Sequence, residues 1–125
     1  MKKIIYTKNA PEPIGPYSQA VLHNNTLYIS GQIAINPQTG NLDLTDIKAE
    51  TKQVMENLKA VLKEAGMDFS HILKCSIFIS DMNNFSAINE IYGSYFTSAF
   101  PARETVEVSV LPKKVNVEIS AIAAL

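Results

Sequence analysis

The sequence has little of what several protein classes require. Its 125 residues include one cysteine, Cys75, which excludes an intrachain disulfide and favours a reducing, cytoplasmic compartment. Lys and Arg total 11 against 12 Asp and Glu, so there is no basic excess to attract a polyanion, and nucleic acid is an unlikely partner. No apolar run is long enough for the core of a signal peptide or for a membrane span, so no membrane association is expected.

Metal ligands and domain boundaries are equally scarce. His23, His71 and Cys75 are the only histidines and cysteine, and no two of them stand at a recognised ligand spacing, so the sequence predicts no metal site. Glycines and prolines occur singly, without a repeat or a linker. We therefore expect one domain that covers residues 1–125.

The first part of the chain is rich in predicted strands. Short apolar runs predict strands over residues 2–6, 20–23 and 26–30. Asn24-Asn25, between the last two runs, is a tight-turn pair that tolerates positive φ.

Two predicted helices follow, and each is succeeded along the chain by one or more predicted strands. From Asp46 to Gly66, apolar residues recur every three or four positions, as in a capped amphipathic helix. A strand over 72–80 leads to a second amphipathic helix, whose apolar residues extend from Phe85 to Phe96. Two strands, over 104–110 and 115–123, complete the order βββαβαββ. This order predicts an α+β fold with both helices on one face of a sheet, whose other face needs cover from an oligomer.

The last two strands carry the most informative polar residues. If the Leu111-Pro112 turn closes a hairpin, Glu118 lies opposite Thr105 and close to Arg103. An arginine can hold a carboxylate through two hydrogen bonds, while a nearby carboxyl group can exchange protons with water. The alternative interpretation is an ordinary cross-strand ion pair.

A set of motifs decides between these interpretations. The chain contains, in order, Gly15-Pro16-Tyr17-Ser18-Gln19-Ala20, Ile29-Ser30-Gly31-Gln32, Asn57-Leu58, Asn89-Glu90-Ile91-Tyr92, Phe100-Pro101-Ala102-Arg103 and Val117-Glu118-Ile119. Together they resemble the RidA/YjgF family over essentially the whole chain. The resemblance implies a chorismate-mutase-like fold and a homotrimer, in which the sheets form a central barrel with three clefts between subunits.

The same resemblance implies roles for particular residues. Arg103 would bind the substrate carboxylate, helped by backbone N–H groups near Gly31 and Thr105, and Glu118 would position the attacking water and exchange protons with it. The rest of the cleft would be lined by Tyr17 from the neighbouring subunit, with Ser30 and Asn89. Many family members have cysteine where this chain has Thr105. Hydrolysis through a bound water needs no thiol there, so only substrate preference is affected.

The function expected from the resemblance is cofactor-free hydrolysis of 2-imino or enamino acids, such as 2-aminoacrylate, 2-iminopropanoate or 2-iminobutanoate, to 2-keto acids and ammonia. Two alternatives remain open. The clefts could bind a 2-keto acid for a regulatory purpose, without catalysis. The second alternative is ribonuclease or translation-inhibitor activity, although the charge balance and the lack of a basic, aromatic surface count against it.

Overall fold

A computed structural model describes all residues, 1–125. Its strands are β1 (Lys3–Ile5), β2 (Ala20–His23), β3 (Thr26–Gln32), β4 (Ile72–Ile79), β5 (Ala102–Glu107) and β6 (Val117–Ala124), and its helices are α1 (Ile47–Glu64) and α2 (Phe85–Gly93). Short 3₁₀ turns precede β4, α2 and β6. The predicted order βββαβαββ is confirmed.

Local signals set most of the element boundaries. Asn24 and Asn25 have φ of 50° and 69°, as the predicted tight turn between β2 and β3 requires. The side chain of Asp46 caps α1 by accepting from Ala49 N at 2.8 Å, and Gly66, with φ of 73°, follows the helix end. The second helix is shorter than its apolar pattern predicts. It ends at Gly93, and the Ser94 hydroxyl donates to Ile91 O at this end.

One mixed sheet contains all six strands in the order β1-β2-β3-β6-β4-β5. Only β4 and β5 are parallel; every other neighbouring pair is antiparallel. Both helices pack on one face, where Cys75, Ile77 and Ile119 are fully buried, as predicted. The alternate residues form what we call the open face, which includes Ile4 and Tyr28, 51% and 50% exposed.

The predicted hairpin between the last two strands is wrong. β6 lies between β3 and β4, so β4 separates it from β5. The physical reason is that β4, α2 and β5 form a strand–helix–strand crossover, which places its two strands side by side and parallel. The connection over residues 108–116 then passes across the end of β4, where Val108 N donates to Ile79 O and Ser80 N to Asn116 O. Lys113 and Lys114 still form a turn there, both with positive φ.

Candidate active site

Tyr17 lies on a loop that one buried side chain holds in place. Gln19 is 2% exposed; its Oε1 accepts from Thr7 N at 2.7 Å and its Nε2 lies within hydrogen-bond distance of three carbonyls of residues 7, 10 and 11. Tyr17 itself is half-exposed, and its hydroxyl accepts from Ile14 N at 3.3 Å, which leaves its own proton free to donate. The loop therefore presents a phenol to solvent on a fixed backbone.

Ser30 belongs to the same assembly. Its hydroxyl donates to Ser18 O at 2.6 Å, and its N–H donates to Gln19 O at 2.9 Å. The hydroxyl proton is thus committed to the Tyr17 loop, and only the oxygen lone pairs remain for a ligand. Ser30 therefore helps to fix the Tyr17 loop, in addition to its predicted place in the cleft wall.

A β-bulge brings Glu118 against a glycine. Ile29 pairs with Ala121 and Gln32 with Ile119, so Ser30 and Gly31 together oppose the single residue Ser120. A Cβ at Gly31 would lie 2.3 Å from Oε2 of Glu118, which no side chain could tolerate without moving the carboxyl group. A glycine at position 31 therefore lets the Glu118 carboxyl group lie against the backbone, which explains why the motif has Gly31.

The Glu118 carboxyl group is unpaired and partly buried. It makes no hydrogen bond within the chain and is only partly exposed. Burial raises the pKa of Glu118 above the ordinary glutamate value, because removal from water disfavours the charged form. A half-buried carboxyl group without a fixed partner can bind a water molecule and exchange a proton with it.

Arg103, on the edge strand β5, is the only arginine in the chain. Its Nη1 donates to Asn89 Oδ1 at 2.6 Å, and its Cζ lies 5.6 Å from the ring centre of Phe85 and 5.2 Å from that of Tyr92. It takes part in none of the three ion pairs of the chain. The guanidinium group is exposed and keeps its charge available to an anion.

Thr105 lies two residues further along the same edge strand. It pairs with Ile77, a core residue, and its hydroxyl is buried without a hydrogen-bond partner. The side chain therefore faces the interior, and only the Thr105 backbone is placed to meet a ligand at the sheet edge. Cys75 is fully buried, as its strand pattern predicted, and burial raises the pKa of its thiol.

Within one chain the predicted residues form two separate groups. Tyr17, Ser30, Gly31 and Glu118 lie together, whereas Arg103 lies with Asn89 and Thr105. Glu118 pairs with Phe78 on the open face, but Arg103 pairs with Cys75 on the helix face, two strands away. Strand spacings put their Cα atoms about 14 Å apart. The predicted meeting of Arg103 and Glu118 across a hairpin is therefore wrong, because that hairpin does not form.

Sequence reasoning missed the aromatic neighbours of Arg103. The apolar pattern of the second helix indicates core packing, which is right for Tyr92, 5% exposed, but it does not indicate that Phe85 and Tyr92 also contact Arg103. With Asn89 they stand at positions i, i+4 and i+7, which share one helix face. The polar Asn89 between the aromatic Phe85 and Tyr92 on this helix face was the sequence signal for a site there. The anchoring role of Gln19 is likewise not indicated by the sequence, where it is one residue of the Gly15–Ala20 motif.

No helix in the structure has the length and apolarity needed to cross a bilayer.

The family model described as Endoribonuclease L-PSP matches residues 7–125. The chain is 52% identical over 123 residues to a RutC family protein of Pyrococcus horikoshii, with 98% of each covered. It is 47% identical over 123 residues to the 2-iminobutanoate/2-iminopropanoate deaminase of Capra hircus, with 98% of this chain and 90% of that protein covered.

Solved structures agree with these relatives. A Rid family protein of unknown function, YyfA from Yersinia pestis, superimposes with a TM-score of 0.97 at 54% identity and full coverage of both chains. TdcF of E. coli with bound serine gives a TM-score of 0.95 at 41% identity, with 98% of each chain covered. The matches extend over every element that carries Tyr17, Gly31, Arg103 and Glu118.

Proposed function

This chain belongs to the RidA/YjgF family, and from that membership we propose that it is a cytoplasmic deaminase that hydrolyses 2-imino and enamino acids to 2-keto acids and ammonia. Support comes from relatives named for this activity at 46–47% identity. Others, at 52% and 48% identity, are named only as RutC family proteins, so the activity of this chain is the proposal and its family is the premise.

The observation that carries the proposal is the Glu118 carboxyl group, half-buried, unpaired and pressed against Gly31. A carboxylate that serves only the fold is normally hydrogen-bonded, since an unpaired buried acid lowers stability. Burial raises the pKa of Glu118 above the ordinary glutamate value, which makes its carboxylate a stronger base toward a bound water. These are the properties that a general acid–base for water needs.

A complete site requires two copies of the chain. Glu118 and Arg103 lie on opposite faces of one sheet, so one subunit cannot direct both at one small molecule. We propose a homotrimer in which the open faces form a central barrel, and in which Arg103, Asn89 and the Thr105 backbone of one subunit face Tyr17, Ser30, Gly31 and Glu118 of its neighbour. The exposed Ile4, Tyr28 and Val106 would be covered, and the edge of β5 would meet the neighbouring subunit.

In the proposed reaction, Arg103 grips the substrate carboxylate with two hydrogen bonds, which fixes C2 near the water held by Glu118. Glu118 accepts a proton as the water oxygen bonds to C2. Glu118 passes this proton to the nitrogen, which takes the electron pair of the C=N π bond. The second water proton then moves to the nitrogen by the same route, while the C2–N bond breaks, C2=O forms and ammonia leaves with the former bonding pair. Tyr17 can donate its free proton to the polar intermediate. The steps are a hydrolysis with proton transfer and use no cofactor.

The test uses imines generated in the cuvette from 2-amino acids by an amino-acid oxidase. Because such imines hydrolyse unaided, their loss is followed by trapping with semicarbazide, with and without the protein. We expect faster imine loss with stoichiometric ammonia and keto acid. Binding of 2-oxobutanoate without any acceleration would instead favour the regulatory alternative, and cleavage of an RNA substrate in a parallel arm would favour the ribonuclease alternative.

Light scattering at micromolar concentration tests the assembly. We expect three times the chain mass of 13.8 kDa. A monomer that retained full deaminase activity would refute the two-copy site.

A further inference from the structure

No carboxylate forms an ion pair with Arg103, although acidic residues are close in sequence. On α2, Glu90 follows Asn89 but bonds to Lys48 Nζ at 2.8 Å. On β5, Glu104 pairs with Lys74 at 3.0 Å on the open face, and Glu107 accepts from Met82 N at 2.7 Å. Each neighbouring acid therefore has a partner elsewhere, and the guanidinium group is held by an amide and two aromatic rings.

Phe85, Asn89 and Tyr92 are placed to hold Arg103 by the geometry of α2 alone. They occupy one face of the helix over two turns, and the parallel β4–β5 crossover lays that face against the edge strand. Both rings lie close to the guanidinium group, with centres 5.6 and 5.2 Å from Cζ, and the amide oxygen orients one nitrogen. Two rings and an amide restrict the motion of the side chain without supplying an anion.

We propose that this neutral cradle, formed by Phe85, Asn89 and Tyr92, positions Arg103 for ligand binding: it fixes the guanidinium group while leaving its full charge for the carboxylate of the ligand. The proposal rests on the proposed function only in taking a small carboxylate as the ligand. An acidic partner would hold Arg103 more strongly, but it would compete with the ligand for the same two donors. The residues of the cradle are positioning residues, since they act through Arg103.

The cradle predicts an order of effects that a purely structural role would reverse. Asn89→Asp keeps an acceptor for Nη1 and strengthens the contact, whereas Asn89→Leu removes the contact but adds no charge. If Asn89 only anchors Arg103, Asn89→Leu should harm ligand binding more. If its neutrality matters, Asn89→Asp should harm binding more.

The experiment measures the Kd of 2-oxobutanoate by calorimetry for the full assembled protein. We expect Asn89→Asp to raise Kd by roughly 10- to 100-fold, because a fixed carboxylate neutralises the guanidinium group, and Asn89→Leu to raise it by about 3- to 10-fold. Asn83→Asp is the matched control: the same chemical change at an exposed position whose side chain makes no hydrogen bond, with an expected change under about twofold. Phe85→Leu should weaken binding about 2- to 5-fold.

Because Arg103 is the only arginine, its side-chain N–H signal in ¹⁵N spectra reports its environment in each folded variant without assignment. An unchanged or tighter Kd in Asn89→Asp, or a greater loss in Asn89→Leu, would overturn the cradle. So would a wild-type protein that does not bind 2-oxobutanoate at all. If the wild type binds the keto acid but does not accelerate imine loss, and the order of variants holds, deaminase function fails while the cradle stands.

Discussion

The two halves of the candidate site are built in contrasting ways. Around Glu118, a bulge and the absence of a side chain at Gly31 leave a space that the carboxyl group occupies without a hydrogen-bond partner. The half around Arg103 is made by adding side chains, with two rings and an amide around one guanidinium group. Proton transfer requires an unpaired acid with an altered pKa, whereas anion binding requires a fixed, undiminished charge.

The contrast implies that damage to the two halves should change different kinetic quantities. The acid half should determine kcat, because in the proposed reaction Glu118 acts on water and on the reacting atoms. The cationic half should determine ligand affinity and KM together with orientation.

The sharpest test of this difference is Glu118→Gln. The amide keeps the shape but cannot exchange the proton, so we expect kcat to fall roughly 10²- to 10⁴-fold. The Kd of 2-oxobutanoate should stay within a few-fold of wild type. A loss of keto-acid binding equal to the loss of rate would contradict the division of labour.

Arg103→Lys tests the other half. Lysine keeps the charge but loses the planar two-pronged contact, which should remove about 2–4 kcal/mol of transition-state stabilisation, or about 30- to 1,000-fold in kcat/KM. The fold should survive, because the residue lies on an exposed edge. Steady-state kinetics checks this on protein whose circular dichroism and assembly mass match those of the wild type. Normal turnover in that variant would make the guanidinium group structural only.

Gly31→Ala tests whether empty space is functional. The new Cβ must displace the Glu118 carboxyl group, so we expect kcat to fall about 10- to 100-fold, as for a misplacement of about 1 Å. Because the effect acts through Glu118, Gly31→Ala should cost little further rate in a Glu118→Gln background. Additive losses in the double variant would mean that Gly31 acts independently, for example through its backbone.

The smallest expected effect concerns stability against pH. Burial raises the folded-state pKa of Glu118, so the folded protein binds this proton more tightly than the unfolded chain does. Stability contributed by the protonated form is therefore greatest at low pH and is lost as pH rises from the ordinary glutamate value through the raised one. Glu118→Gln should stabilise the protein near pH 7 relative to wild type, and this gain should shrink toward pH 4. Thermal unfolding of both proteins across that range is the measurement, and a pH-independent difference would contradict the linkage.

Local sequence signals located the elements well, for identifiable reasons. The Asn24-Asn25 turn, the Asp46 cap and the Gly66 stop are decided by φ preferences and short-range hydrogen bonds. Helix α2 ended earlier than its apolar pattern because Tyr95 and Phe96 pack on Phe69 outside the helix, at ring-centre distances of 5.1 and 5.6 Å. An apolar spacing pattern cannot distinguish these two kinds of packing.

The sequence by itself nominated the residues of the candidate site and determined which residues share one side of a strand, because strand alternation is a local property of the backbone. The motifs around Tyr17, Gly31, Arg103 and Glu118 were sufficient to identify the family. Only the tertiary structure decided that β6 enters between β3 and β4, which separates Arg103 from Glu118 and puts them on opposite faces. Strand order depends on competition between a hairpin and a strand–helix–strand crossover, and packing of α2 against distant parts of the chain settles that competition.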